Sequence, residues 1–110
     1  MINLEKELAY ICSPYRGNVD RNVDYAKKLV KWAINKGFTP IAPHLYIPQV
    51  LDDDVPEERE KGLNAGLDIL THCSTLIYGD RYGVTAGMRE EIRLARRLGI
   101  KVILHNKCIW

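Results

Sequence analysis

Short apolar runs alternate along this chain with longer amphipathic stretches. Leu8–Cys12 is continuously apolar and reads as a buried strand. Asp20–Lys36 carries Ala26, Leu29, Val30 and Ala33 at i, i+3, i+4 and i+7, the spacing of one helical face, and Gly37 stops it. Phe38–Ala42 is a short strand with Pro40 inside it. Proline cannot donate to a ladder, so this strand is expected at a sheet edge. Pro43–Pro56 reads as a long irregular loop holding His44, Tyr46 and Asp52-Asp53-Asp54. Unstructured stretches of that length usually serve function or move. Glu57–Thr71 reads as a helix with Leu63, Leu67 and Leu70 inward and an acidic first turn that suits its dipole. Thr75–Tyr78 is a third strand, Gly79–Val84 a loop, Thr85–Leu98 a helix stopped by Gly99, and Lys101–Leu104 a fourth strand. His105–Trp110 is a short tail or a further strand.

Strands separated by helices define an α/β class: a three-layer sandwich around a four- to five-stranded parallel sheet. With the Pro40 strand at an edge, the expected order is flavodoxin- or Rossmann-like, 2-1-3-4(-5). That order puts a topological switch point between the first and third strands, where ligands bind in such sheets. The loops leaving those strands are Ser13–Asn18 and Gly79–Thr85.

At 110 residues, 46% hydrophobic and 27% charged, the chain reads as a single soluble domain over 1–110. A net charge of +2 is too small to argue for a nucleic-acid polymer or a membrane surface as partner. Three scattered cysteines, Cys12, Cys73 and Cys108, lack the spacing of a disulfide framework or a zinc site. Reduced thiols are expected, with Cys12 and Cys73 in the core. No leader pattern or membrane-length apolar run is visible, so a cytoplasmic location is expected.

The strand-to-helix junction Tyr10-Ile11-Cys12-Ser13-Pro14-Tyr15-Arg16-Gly17-Asn18 carries the strongest chemical signal. Backbone N–H groups and the positive end of a helix converge there on a place where an anion can sit. Arg16 adds a planar fork suited to phosphate or carboxylate. The second signal is the last helix. At about 100° per residue, Met88, Ile92 and Ala95 share its buried face, while Glu90, Arg93 and Arg97 fall on the opposite one. Glu91 lies on the margin, partly desolvated and near the pocket mouth. Both glutamates would also suit the helix dipole with no further role.

Three segments together resemble the nucleoside 2-deoxyribosyltransferase-like superfamily, in particular a small bacterial and phage branch related to deoxynucleoside 5′-monophosphate N-glycosidases. They are Ser13–Gly17, Ala42–Leu45 with Pro48 and Leu51–Asp53 through Pro56–Arg59, and Gly87–Ile92. The resemblance spans roughly Tyr10 to Val102. It implies retaining cleavage of an N-glycosidic bond, with no metal or organic cofactor, in a homodimer or higher homo-oligomer acting on a small nucleoside or nucleotide. By resemblance, Glu91 matches the nucleophile that attacks the anomeric carbon of a deoxyribose. Tyr10 matches a tyrosine that hydrogen-bonds it, Arg16 and Gly17 a 5′-phosphate loop, and Thr85 a polar residue on the sugar's 5′ side. Ser13, Tyr15, Gly87 and Met88 of the same segments, with Asn18 next to the first, join the substrate-binding candidates. Non-catalytic binding of a nucleotide or nucleotide-derived signal is the alternative.

The resemblance also implies a general-acid aspartate on the helix before the third strand, where this chain has Gly66. Asp68 lies two residues on, about 200° around a helix. Asp68, Asp80 or one of Asp52–Asp54 is left to protonate the leaving base. His44 is a candidate base or phosphate contact, or a loop brace. Tyr15 and Tyr46 could stack on a base, and Arg59 could point into the cleft. His72 reads as a helix C-terminal dipole partner, Trp32 as packing and Trp110 as a subunit contact.

Overall fold

The protein is described over residues 6–106 by a computed structural model. Strand β1 spans Leu8–Cys12, helix α1 Val19–Asn35 and strand β2 Thr39–Ile41. A 3-10 turn at Pro43–Leu45 leads to the short helix α2, Ile47–Val50, and then α3, Pro56–Thr71. Strand β3 (Thr75–Gly79), helix α4 (Ala86–Arg97) and strand β4 (Lys101–His105) complete the order. The four strands form one parallel sheet, β2-β1-β3-β4. This is the expected order, with the Pro40 strand at the edge. The rest of the expected tail, with Cys108 and Trp110, lies outside the described residues.

Side chains on β1 alternate between two layers, as strand geometry requires. Ala9 and Ile11 pack with Tyr25, Leu29 and Ala33 of α1 and with Ile77. Tyr10 and Cys12 pack on the other face with Leu70 of α3 and Met88, Ile92 and Ala95 of α4. Both faces are dry, which is why β1 reads as an unbroken apolar run. Cys12 and Cys73 are buried as expected.

Two expectations need correction. The segment 43–56 is not a featureless loop: Pro43, Pro48 and Pro56 each sit in the first turn of a helical piece. Proline's fixed φ and missing N–H suit that first turn, so residues that look like breakers are starters here. Leu63 is not inward either, being 52% exposed, while Leu67 is half-buried. Only the C-terminal part of α3, around Leu70, packs on the sheet; its earlier turns border a cavity.

None of the described helices is long and apolar enough to cross a membrane.

Candidate functional site

The cavity lies beyond the C-terminal end of β1, at the switch point of the sheet. Its volume is about 330 Å³, within the usual range of small-ligand sites. Each wall comes from a different part of the chain. The floor is Tyr10 of β1 with Met88 and Glu91 of α4, and the β1–α1 loop adds Ser13, Tyr15 and Arg16. Pro43, His44, Ile47 and Pro48 form an apolar shelf, Asp53 borders it, and α3 supplies Arg59, Gly62, Leu63, Gly66 and Leu67. Thr85, Gly87 and Glu90 close the α4 side. Thr85 caps that helix, accepting from the Met88 N–H at 3.2 Å.

At the floor, the buried Tyr10 hydroxyl donates to Oε2 of Glu91. The Cys12 thiol lies 3.5 Å from Oε1. Burial pushes the Glu91 carboxyl above its ordinary value, the Tyr10 and Cys12 hydrogen bonds pull it down, and neighbouring Glu90 pushes it up. Desolvation first, and the Glu91 charge second, drive the Tyr10 hydroxyl far above its usual range, so it stays a protonated donor. Glu91 is therefore a half-buried carboxylate held by two neutral donors.

Ser13 Oγ and His44 Nε2 are 2.8 Å apart and tie the β1 loop to the turn after β2. Burial lowers the His44 pKa to about 4, so the ring is neutral at pH 7. An unfolded His44 would bind a proton below about 6.5. Between those values the unfolded chain holds more protons, so this contribution to stability is present at neutral pH and is lost as pH falls towards 4. The expected loss between pH 7 and pH 4 is on the order of 2 kcal/mol. His44→Asn should flatten that part of a stability–pH curve measured by urea denaturation. An unchanged slope would show that His44 is not held neutral.

Several expected site residues are not brought to the cavity. Asn18 is used as the N-cap of α1, its side chain accepting from the Arg21 N–H at 3.1 Å. Gly17 turns the chain at φ +96° without lining the cavity. Asp80, just after β3, and Tyr46 are exposed and do not line the cavity. Asp68 is exposed on α3, and its carbonyl accepts from the Thr71 hydroxyl at 2.6 Å and bonds His72 Nδ1 at 2.8 Å. The rotation of two helical residues that separates Asp68 from Gly66 carries it away from the cavity. Glu90, expected on the solvated face, is exposed but borders the cavity mouth. Arg16 meets Asp54 at 3.8 Å, with side chains 52% and 90% exposed, a pair worth little in water.

In the sequence Cys12 reads as plain core. The signal was available: Tyr10 and Cys12 are two residues apart on a strand and must share a face. In the sequence Gly66 reads only as a missing carboxyl. A Cβ there would lie 3.3 Å from the Tyr10 hydroxyl, so bare backbone faces the Tyr10–Glu91 pair. Among the described residues no group of three or more His, Cys, Asp or Glu is placed to hold a metal ion.

A four-stranded parallel sheet of order 2-1-3-4 covered by helices on both faces defines an α/β protein. The solved 2-deoxyribosyltransferase of the psychrotolerant bacterium Bacillus psychrosaccharolyticus is similar with a TM-score of 0.71 over 88% of this chain and 70% of that one. Sequence identity is 19%, so the likeness is one of fold. The chain belongs to the family described as a domain of unknown function, DUF7768, whose model matches residues 7–105. No curated protein sequence matches it significantly.

Proposed function

We propose that this protein cleaves, or transfers the base of, a 2′-deoxynucleoside or its 5′-monophosphate through a covalent glycosyl–Glu91. The observation that carries the reading is the Tyr10–Glu91 pair at the floor of a cavity that Arg16 also lines. A glycosidic nucleophile must be ionised, preorganised and aimed at a positively charged sugar. In the first step a Glu91 oxygen forms a bond to C1′ while the C1′–N bond breaks. The electron pair leaves with the base, which takes up a proton. Water, or the nitrogen of a second base, then attacks C1′ and releases the carboxylate and a proton. Tyr10 holds the carboxylate throughout. The lack of a 2-hydroxyl eases charge build-up on the sugar.

Arg16 tilts the reading towards the monophosphate. Its contact with Asp54 is exposed and readily exchanged for a phosphate. Arg16→Ala is expected to weaken a deoxynucleoside monophosphate about tenfold or more, since a charge-assisted bond contributes roughly 1.5–3 kcal/mol. The matching deoxynucleoside should be nearly unaffected. Calorimetric titration of both ligands checks this, and equal losses for the two would remove Arg16 from phosphate binding.

The reading is tested by incubating the protein with each deoxynucleoside monophosphate and following free base by chromatography. A second reading, a nucleotide-binding module without turnover, is favoured by the α3 wall. Opposite Tyr10 that helix offers Gly66 rather than a carboxyl, and the remaining carboxyls at the cavity, Asp53 and Glu90, lie on other elements. Tight binding with no base released, in wild type and Glu91→Ala alike, would select the module.

A further inference from the structure

Cys12 is fully buried, yet its sulfur faces the one carboxylate at the cavity floor. Tyr10 and Cys12 project from the same face of β1 and address different oxygens of Glu91, Oε2 and Oε1. The carboxylate is thus straddled by two donors from one strand. The thiol has another acceptor within reach, the Met88 carbonyl at 3.7 Å. The carboxylate is nearer, at 3.5 Å, and charged, so it is the stronger acceptor.

We propose that Cys12 is a positioning residue: its S–H, together with the Tyr10 hydroxyl, fixes the Glu91 carboxylate and sets its basicity. The thiol suits this place because it is a weak donor. A stronger donor on Oε1 would stabilise the anion more and leave it less nucleophilic. Desolvation, then the Glu91 charge, hold Cys12 in its protonated form, so it donates and does not compete as a thiolate. The other charged or titratable groups bordering the same cavity are Glu90 on α4, Tyr15 and Arg16 on the β1 loop, His44 on the turn after β2, Asp53, and Arg59 on α3. Of these, Glu90 acts on the Glu91 carboxyl and pushes it upwards; the hydrogen-bond donors acting on it are Tyr10 and Cys12.

Two readouts separate this role from ordinary core packing, and neither needs turnover. The first is the Glu91 carboxyl pKa, followed by carbon NMR across pH. In Cys12→Ala it should move up, because a bond to the charged form is gone. The second is the S–H stretching band, in a spectral window free of other protein bands. Subtracting the Cys12→Ala spectrum separates Cys12 from Cys73 and Cys108. The Cys12 band should lie low in the wild type and shift to higher frequency in Glu91→Gln, which keeps the thiol and removes the charge. A Glu91 pKa that stays put in folded Cys12→Ala, or a band indifferent to Glu91→Gln, overturns the proposal.

Its consequence for turnover rests on the glycosidic reading of Glu91. There, the acid limb of the pH–rate profile should move to higher pH in Cys12→Ala. Absence of base release from every deoxynucleotide would sink that reading, while the NMR and infrared results would still decide the role of Cys12.

Discussion

Glu91→Gln should abolish base release from deoxynucleoside monophosphates, lowering the rate by about a thousandfold or more. The amide keeps the shape of the side chain and can still accept from the Tyr10 hydroxyl, but it has no charge with which to attack C1′. Binding of the monophosphate should change little, because the Arg16 end of the cavity is untouched. Thermal stability should hold or rise, since a half-buried carboxylate costs desolvation that an amide avoids. Single-turnover chromatography of the free base, with a melting curve on the same sample, checks both parts. A variant retaining more than about a tenth of the wild-type rate would remove Glu91 from the nucleophile's role. The wild-type rate should fall as pH drops through the Glu91 pKa, because only the ionised form attacks. Burial raises that pKa, so the limb should lie above the ordinary carboxylate range.

Gly79→Ala should damage the fold severely. Gly79 ends β3, and a Cβ there would lie 2.0 Å from the Tyr25 hydroxyl, 2.7 Å from Cζ and 3.1 Å from Cε2. The ring has nowhere to go: Tyr25 is 2% exposed, its hydroxyl accepts from the Arg81 N–H at 3.4 Å, and it meets Tyr82 edge-on at 5.2 Å. Relief requires either α1 or the β3–α4 loop to shift. The expected loss is about 3 kcal/mol or more, or a fall in melting temperature of more than about 10 °C. Adding Tyr25→Phe should recover only part of it, because the ring carbons still overlap. Chemical denaturation measures the loss, and a melting point within about 2 °C of wild type would show that the sheet and α1 are less rigidly joined than this contact implies.

Legibility in the sequence followed the range of the forces involved. β1 could be read to the residue because five consecutive apolar side chains admit few other structures. The edge position of β2 followed from Pro40 alone, through its missing donor. Glu91 can be preferred to Glu90 from helical rotation, and the same rotation sets Asp68, a candidate general acid, out of line with position 66. The segment 43–56 reads as loop but folds into helical pieces because a proline's local effect has two outcomes, stopping a helix or starting one, and neighbouring packing selects between them. Leu63 reads as inward yet is exposed for a related reason: helical periodicity says which residues share a face, not whether that face meets a sheet or a cavity.

By itself the sequence determined the alternation of elements, the parallel sheet and its order, and the two loops that flank the switch point. These follow from periodicity and from proline and glycine backbone rules, which act over a few residues. Only the tertiary structure decided that Cys12, 79 positions from Glu91, joins Tyr10 on the second oxygen, that Ser13 meets His44, and that bare helix at Gly66 faces them. Those contacts depend on how layers distant in sequence dock to within an ångström, and no local pattern encodes that distance.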